Sequence, residues 1–422
     1  MIFLLLSFVI LYVWANQLQF TPWQSLALAL AVATTHYVYY QALEIHSENF
    51  YLFFTLLPVL LVTLEESRGN SSAGPVIVSA ALLAGLAILV RSIGITMILA
   101  FAFYSVIRYP WRQSIKLIAL LLLPSVIALI FNFKTSENAS YFDMLSGQIE
   151  VIGGFGNYLA FLLTHFLDFI FGWHQLFRTG RGFIQVLLII IGVVCLAGMF
   201  VRLRERKLDA YYCLAYLGML MAWPFSQEPS RYLLPVFPVL LIQGLYLLNT
   251  LRLPHMPYFQ AAFVLFLLFN NIYPLLWTMD RYMEPIPDEY ASYRNNLIWY
   301  EDVEKGNQIG VLVRASITDM MLNVSAEVAD DDCILTTKPP ILSFYTQRKA
   351  VESPAENLGD QDFLDALEAS GCGYILTMPY TSISFATVNY PLERLDALAA
   401  PVMAAGVNGV PVAYLMKLNS EP

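Results

Sequence analysis

Charged residues are scarce in this sequence, and that scarcity decides its class. Only 13% of the 422 residues are Asp, Glu, Lys or Arg, while 58% are hydrophobic and the mean hydropathy is +0.60. Soluble globular domains carry about 25% charged residues. The composition therefore excludes a soluble globular chain and indicates a polytopic α-helical membrane protein. The sequence contains no strongly basic segment of the kind that binds nucleic acid.

Histidine and cysteine are also few, at five and four residues. Their spacing does not resemble a zinc site. Cys195 and Cys213 lie in apolar runs and are interpreted as packing residues. Cys333 and Cys372 each lie near the start of a predicted strand. A disulfide is chemically permitted outside the cytoplasm, and the sequence leaves open whether these two cysteines pair.

The few charges that exist are unevenly distributed. Residues 1–279 contain 14 Lys or Arg and 11 Asp or Glu, a net charge of +3. Residues 280–422 contain 9 and 21, a net charge of −12. This shift predicts a multi-span membrane domain over 1–279 and an acidic, water-soluble domain over 280–422.

Long apolar stretches fill the first domain. They lie at 1–15, 22–40, 49–64, 76–91, 94–107, 117–131, 183–201, 209–224, 232–249 and 258–278. Several are shorter than the ~20 residues that a full span requires, so the sequence predicts about ten spans of unequal length. The pair 76–91 and 94–107 is ambiguous, because Arg91–Gly94 interrupts what could be one long helix.

Basic residues in the connections predict the topology. One alternating set carries nine, namely Arg68, Arg108, Arg112, Lys116, Arg202, Arg204, Arg206, Lys207 and Arg252. The other set carries five, namely Arg91, Lys134, Arg178, Arg181 and Arg231. The positive-inside rule places the first set in the cytoplasm. The segments 41–48, 132–182 and 225–231, the acidic domain and Met1 are then extracytoplasmic. We expect further spans upstream of Met1, and a short first helix with its N-terminus outside is the alternative. We expect the inner or plasma membrane as the location.

The segment 132–182 contains an apolar, aromatic stretch from Tyr158 to Trp173. A span here would reverse the side on which Arg202–Lys207 lies. We therefore interpret this stretch as a helix in the membrane interface. A genuine span with a different upstream topology is the alternative.

The acidic domain alternates between strand and helix patterns. Predicted helices are Ala291–Lys305, Ile317–Ala329, Ile341–Thr346, a helix that Asp360 caps and Gly371 closes, and Leu392–Ala399; predicted strands are Ile309–Val313, Cys333–Thr337, Ala350–Val351, Tyr374–Thr377 and Val412–Met416. This alternation favours a small α/β domain with a mostly parallel sheet. It contains no dinucleotide, P-loop or nucleophile-elbow motif.

Four groups of polar residues map to the predicted extracytoplasmic side. They are Glu44, His46 and Glu48; Arg91; His174, Arg178 and Arg181; and Glu228, Arg231 and Tyr232. A charge at a membrane surface costs free energy unless an opposite charge meets it, so these residues are functional candidates. Each group also has a plain interpretation: solvated loop carboxylates, a snorkelling arginine, or basic residues that bind lipid phosphate.

These groups occur in an order that resembles class C membrane glycosyltransferases, and in particular the protein O-mannosyltransferase and aminoarabinose-transferase-like superfamily. The similar segments are Ile45–Glu48, Gly85–Ala87 followed by Arg91, Arg231–Pro238, Ile334–Thr336 and Tyr345–Arg348. Each motif is short, but the motifs are spread from Ile45 to Arg348, so the resemblance extends over nearly the whole chain.

The resemblance implies an activity. A polyprenyl-phosphate sugar in the outer leaflet would donate its glycosyl group to a glycan, lipid or protein acceptor. A carboxylate in the first outer loop would act as base and hold a divalent cation. Arg231 and Tyr232, assisted by Arg91, would stabilise the departing phosphate.

One departure from the family pattern stands out. The acidic catalytic loop that follows the family's first span has no counterpart here, and no Asp-Asp or Asp-Glu pair precedes Glu44. Glu44 and Glu48 are weak substitutes. The chain could therefore be a truncated, split or inactive enzyme. Two other classes stay open, a transporter or flippase for a lipid-linked saccharide and a non-catalytic assembly protein.

Overall fold

The chain folds into two compact units, residues 1–276 and 277–422. The computed structural model describes residues 2–43, 48–69, 73–132, 155–177, 182–222, 232–251, 255–288, 299–300, 303, 306, 308–336, 339–354, 359–377, 395 and 398–419. The predicted helix Ala291–Lys305 lies largely outside these residues, as does Leu392–Ala399.

The first unit is helical throughout its described residues. Its helices are α1 (Ile2–Gln17), α2 (Pro22–Ala33), α3 (His36–Leu43), α4 (Glu48–Ser67), α5 (Pro75–Val90), α6 (Ile95–Arg108), α7 (Trp111–Asn132), α8 (Phe155–Gly172), α9 (Gly182–Arg204), α10 (Leu208–Ala222), α11 (Phe237–Thr250) and α12 (Met256–Met283), the last of which crosses the division between the units. Each apolar run of the sequence lies wholly or largely in one of these helices. The run 22–40 is the exception, since it breaks at Thr34 and Thr35 into α2 and α3.

Length and composition qualify four described helices to cross a membrane: Glu48–Ser67, Gly182–Arg204, Met256–Met283 and Ile309–Ala326. The fourth belongs to the second unit, where it packs against a strand. Six further apolar helices have 10–17 residues. The chain is thus a helical membrane protein with a small C-terminal sheet, and about ten spans remain a prediction.

The ambiguous region around Arg91 is a turn between two helices. Arg91 has an extended backbone, and a short 3-10 helix from Ser92 to Gly94 follows it before α6 begins. Helix α5 packs against α4, α6 and α7. The break in the sequence therefore marks a hairpin, which returns the chain along α5 and leaves Arg91 at its tip.

The backbones of α9 and α11 approach each other closely in the first unit. In α9, a Cβ atom added at Gly198 would lie 2.1 Å from the backbone oxygen of Gln243 in α11. Small residues allow such contacts in membrane helix pairs, where dispersion forces replace the hydrophobic effect as the driving force. Gly198 therefore fixes the approach of α9 to α11.

The second unit is a five-stranded sheet with helices on both faces. Its elements are α13 (Gln308–Asn323), β1 (Cys333–Thr336), α14 (Pro339–Thr346), β2 (Lys349–Glu352), α15 (Asp360–Ser370), β3 (Tyr374–Thr377), β4 (Ala399–Val407) and β5 (Val410–Leu418). The strand order is β2-β1-β3-β5-β4. Side chains alternate between the faces, so Ile334 packs with residues of α13 and α14 while Leu335 packs with residues of α15.

Several predictions for this unit need correction. Ile309–Val313 is not a strand but the start of α13. The sheet is not mostly parallel: β1 is parallel to β2 and β3, whereas β5 is antiparallel to β3 and β4. Gly359, not Asp360, occupies the N-cap of α15. The remaining predicted strands and the closure of α15 by Gly371 are confirmed.

Strand β4 was not predicted from the sequence, although the Asn-Gly pair that follows it is typical of a hairpin turn. Asn408 and Gly409 join β4 to β5, and both have positive φ angles, at 53° and 78°. Asn-Gly at a two-residue turn is typical of a tight hairpin, because these residues tolerate positive φ. The hairpin adds an antiparallel edge to a parallel core.

Cys333 and Cys372 form a disulfide across the centre of this sheet. Cys333 opens β1, and Cys372 precedes β3. Asp332 reinforces the same junction, since its Oδ1 accepts hydrogen bonds from the backbone N–H groups of Cys333 and Gly373 at 2.7 and 2.9 Å. The disulfide joins two residues that are 39 positions apart in sequence.

Replacing Gly198 with Ala should destabilise the first unit by about 1–3 kcal/mol, because the new methyl group overlaps a backbone oxygen that cannot rotate away. The measurement is the thermal unfolding midpoint of the purified protein in detergent. Gly218→Ala in α10 is the control, since nothing lies within 4 Å of a Cβ atom there. Equal midpoints for the two variants would contradict the packing argument.

Alkylation under denaturing conditions should modify two cysteines before reduction and four after it, because Cys195 and Cys213 are free. Peptide mass spectrometry identifies which residues react. Replacing Cys333 and Cys372 together with Ser should cost the second unit roughly 2–4 kcal/mol through the entropy of the unfolded chain. Four alkylated cysteines without reductant would show that the bond is absent.

Candidate functional site

Two predicted site residues meet at one end of the first unit. Glu48 is the first residue of α4, and Arg91 follows the last residue of α5. These helices pack side by side, and the guanidinium Nη1 of Arg91 forms an ion pair with Oε1 of Glu48. We call this end of the helix bundle, formed by the start of α4, the end of α5 and the start of α6, the Glu48 end.

The pair is asymmetric in its burial. The Glu48 side chain is 1% exposed and the Arg91 side chain 22% exposed. A buried carboxylate requires a nearby cation, because the apolar surroundings penalise an isolated charge by several kcal/mol. The exposed fraction of Arg91, by contrast, leaves part of its guanidinium within reach of another anion.

Three buried tyrosines line the space beneath this pair. Tyr51 lies one helical turn after Glu48 on α4, and its hydroxyl is 3.4 Å from both Ile93 O and Thr96 Oγ1 at the start of α6. Its ring centroid is 6.3 Å from that of Tyr216, and the ring of Tyr216 is 5.6 Å from that of Tyr212. Tyr212 and Tyr216 both belong to α10. The aromatic group thus connects α10 to the ion pair.

Tyr216 extends the site to another predicted residue. Its hydroxyl donates a hydrogen bond of 2.8 Å to the backbone oxygen of Tyr232. Tyr232 opens the segment that leads into α11 and directly follows Arg231 in sequence. The structure therefore brings Glu48, Arg91 and the backbone of Tyr232 to one region.

An apolar cavity of about 40 Å³ adjoins this region. Its lining residues are Phe166, Phe169, Trp173, Ile189, Gly192, Leu196, Leu217, Met221, Leu233 and Leu240. Leu217 and Leu233 are the immediate chain neighbours of Tyr216 and Tyr232. The cavity is therefore linked to the ion pair through the tyrosines and not by direct contact with Glu48 or Arg91.

The opposite end of the bundle has a different character. Glu66, near the end of α4, accepts a hydrogen bond of 3.0 Å from the Tyr104 hydroxyl and one of 2.8 Å from Lys207 Nζ. At 1.5 Å per residue, Glu66 is about 27 Å along α4 from Glu48. Lys207 belongs to the predicted cytoplasmic set, so the basic connections meet at this Glu66 end.

A second buried ion pair reinforces the Glu66 end. Arg202 donates to both carboxylate oxygens of Asp209, at 3.0 and 2.7 Å, and Gln243 donates to Asp209 Oδ2 at 3.0 Å. These contacts join α9 and α10 to α11. Since three helices are held by one carboxylate, we interpret this network as structural.

The other predicted site residues divide into two groups. His174 is half-buried in the 3-10 helix Trp173–Phe177, which packs against α9. Glu44, His46, Arg178, Arg181, Glu228 and Arg231 lie outside the described residues. Helix α8, the predicted interfacial helix, is present, and Tyr158 near its start donates a hydrogen bond of 2.9 Å to the last carbonyl of α10. Its placement in the membrane interface stays a prediction.

The sequence analysis missed Tyr51, Tyr212 and Tyr216. Their spacing offered a signal, since Tyr51 is three residues after Glu48, and Tyr212 and Tyr216 are four residues apart. Both spacings place side chains on one helix face. Tyrosine hydroxyls buried in an apolar bundle seek polar partners, which makes such spacings worth examining.

A divalent cation requires a larger ligand set than the described residues provide. No group of three or more His, Cys, Asp or Glu side chains among them could hold a metal ion. Glu48 faces a guanidinium, which is a competitor rather than a co-ligand for a cation. The implied cation therefore does not fit the described part of this site, and we assign it no step.

No known protein-family model matches this chain, and no curated protein matches it. The superfamily resemblance thus rests on the short motifs alone.

The Glu48–Arg91 pair should show strong coupling in a double-mutant cycle. Arg91→Met removes the cation beside a buried carboxylate and should cost about 3–5 kcal/mol. Glu48→Gln combined with Arg91→Met should recover a large part of that loss, since no charge is then left without its counterion. The measurement is the unfolding midpoint of all four proteins in detergent. Purely additive losses would mean that the two side chains do not interact.

Proposed function

We propose that the chain is a membrane glycosyltransferase that uses a polyprenyl-phosphate-linked sugar. One observation carries the proposal: a partly exposed arginine, paired with a buried carboxylate, lies at one end of an apolar helix bundle that also contains an apolar cavity. A polyprenyl-phosphate sugar has the complementary chemistry, with an anionic phosphate attached to a long apolar chain.

The charged part of the site suits the departing phosphate. During transfer, the bond between the sugar C1 and the phosphate oxygen breaks, and a bond between C1 and an acceptor oxygen forms. Polyprenyl phosphate leaves with the bonding electrons, so negative charge grows on its oxygens. Arg91 would stabilise that charge, because charge-assisted hydrogen bonds from a guanidinium to phosphate are strong and directional.

Glu48 is the candidate acceptor for the proton that the acceptor hydroxyl loses. It is the one predicted base that the described residues place next to a candidate phosphate ligand. Tyr216 would act as a positioning residue, since its hydroxyl holds the backbone of Tyr232 and with it the chain that carries Arg231. Arg231 would then be a second phosphate ligand, as the resemblance implies.

The apolar cavity provides a place for the first part of the prenyl chain. Its lining includes Phe169 and Trp173, together with Leu217 and Leu233, which follow Tyr216 and Tyr232 in sequence. Burying an apolar chain here gains about 25 cal/mol per Å² of surface removed from water. The gain for a membrane lipid is smaller, because its tail is already in an apolar phase.

We place the Glu48 end and the second unit outside the cytoplasm of an inner or plasma membrane. Two observations support this orientation. Lys207 and Arg68, which belong to predicted cytoplasmic connections, lie at the Glu66 end, as the positive-inside rule expects for the cytoplasmic side. The second unit contains a disulfide, a bond that persists in oxidising compartments.

The test is glycosyl transfer by the purified full-length chain in lipid nanodiscs, with a radiolabelled polyprenyl-phosphate sugar and a pool of candidate acceptors. Arg91→Met should reduce the rate at limiting donor by about 10²-fold or more, the range seen when one donor to a developing oxyanion is removed. Release of polyprenyl phosphate should fall in parallel with acceptor labelling.

Arg68→Met is the matched control. Arg68 is also ion-paired to a glutamate of α4, but its side chain is 62% exposed and lies at the Glu66 end. Its loss should leave transfer unchanged. Movement of the labelled lipid across the bilayer without release of polyprenyl phosphate would instead support the transporter alternative. A protein that shows neither glycosyl transfer nor lipid movement would refute the proposal.

A further inference from the structure

Arg91 already has a counterion in the structure. The carboxylate of Glu48 already holds its Nη1, so an incoming phosphate meets a site whose charge is neutralised. Any anion that uses Arg91 must share the guanidinium with Glu48 or displace Glu48 from it. This competition matters only if the site binds a phosphate, so the inference rests on the proposed function.

We propose that Glu48 is the counterion that the donor phosphate displaces from Arg91, so that phosphate binding and release of the Glu48 carboxylate are one event. The two partners differ in how freely they can move. Glu48 is buried within the first turn of α4, whereas Arg91 is partly exposed and lies in an extended turn between α5 and the 3-10 helix. The arginine is therefore the partner that moves toward the phosphate.

The position of Glu48 offsets a small part of the free-energy cost of the separation. It lies in the first turn of α4, where the positive end of the helix dipole favours a negative charge by about 0.3–1 kcal/mol. This contribution is smaller than the attraction of a guanidinium, so the pair is closed without ligand. It lowers the cost of leaving the carboxylate ionised once Arg91 has turned to the phosphate.

Displacement gives Glu48 a role in specificity. The donor phosphate is a diester that carries one negative charge and two non-bridging acceptor oxygens, so it can accept two hydrogen bonds from the guanidinium and competes with the single carboxylate for it. A neutral headgroup offers no comparable attraction and leaves the pair closed. Glu48 thus excludes uncharged lipids from Arg91, and its carboxylate becomes available for proton transfer only when an anionic donor is present.

A role for Glu48 in orienting Arg91 would change phosphate affinity in the opposite direction. If Glu48 supported phosphate binding by orienting Arg91, its neutralisation would weaken binding. If Glu48 competes with phosphate, Glu48→Gln should strengthen binding, because a like charge beside the ligand is removed and Arg91 is released. The sign of the change in affinity therefore distinguishes positioning from competition.

The experiment measures binding of a short-chain polyprenyl phosphate to the full-length protein in neutral-lipid nanodiscs by isothermal titration calorimetry. Glu48→Gln should lower Kd by about tenfold or more, as expected when a charge within several ångströms of an anion is removed at intermediate dielectric. Glycosyl transfer by the same variant should fall. The corresponding polyprenol, which has no phosphate, should bind equally to the wild-type protein and to the variant.

Glu66→Gln is the matched control, since Glu66 is a carboxylate of the same helix that is paired to Lys207 at the other end. It should leave the Kd of polyprenyl phosphate unchanged. Glu48→Asp keeps the charge but shortens the side chain by one methylene, so it should lower Kd by a smaller factor. This variant decides the matter if Glu48→Gln does not fold.

The outcomes separate the two proposals. Weaker or unchanged binding of polyprenyl phosphate by the folded Glu48 variants overturns the displacement mechanism and leaves the proposed transferase in place. A wild-type protein that neither binds polyprenyl phosphate nor transfers sugar from it overturns the proposed function itself. Tighter binding of both the phosphate and the polyprenol would indicate a general loosening of the site and would also overturn displacement.

Discussion

Charge neutralisation inside an apolar helix bundle is the constraint on which the described first unit depends. Glu48 and Asp209 are almost completely buried, and each is matched by an arginine from a neighbouring helix. A buried charge without a partner costs several kcal/mol, so each pair fixes which helix ends lie together. The two pairs lie in different settings. Asp209 meets a bidentate, almost fully buried Arg202, whereas Glu48 meets an arginine that another anion can still reach.

That difference separates a structural pair from a functional candidate. The Arg202–Asp209 pair is completed by Gln243, and its guanidinium also stacks at 4.7 Å over the ring of Tyr246. Such a network resists exchange because each partner is held by several contacts. The Glu48–Arg91 pair combines a fixed carboxylate with a partly exposed cation at a turn. The proposed function rests on this pair, on the buried tyrosines near it and on an apolar cavity in the same bundle.

The sequence predicted elements well wherever one local pattern decided them. The apolar runs mark the helices, and buried apolar segments such as Cys333–Thr336 mark central strands. It failed where two patterns competed. Ile309–Val313 has strand-like composition, but it continues into α13, because one face of the helix packs on the sheet. For the site, the sequence indicated Glu48, Arg91 and Tyr232, yet it did not indicate Tyr216, whose contact with Tyr232 spans 16 residues.

Composition and charge distribution alone determined that this is a helical membrane protein with an acidic α/β domain, because burial and solvation depend on residue type. Tertiary structure decided the partners: that Arg91 neutralises Glu48, that Tyr216 holds Tyr232, that Cys333 is bonded to Cys372, and that Gly198 admits a neighbouring backbone. Such pairings depend on which helix ends and strand ends the fold brings together. Sequence spacing cannot encode them, because residues distant in the chain meet only after the helices and strands have packed.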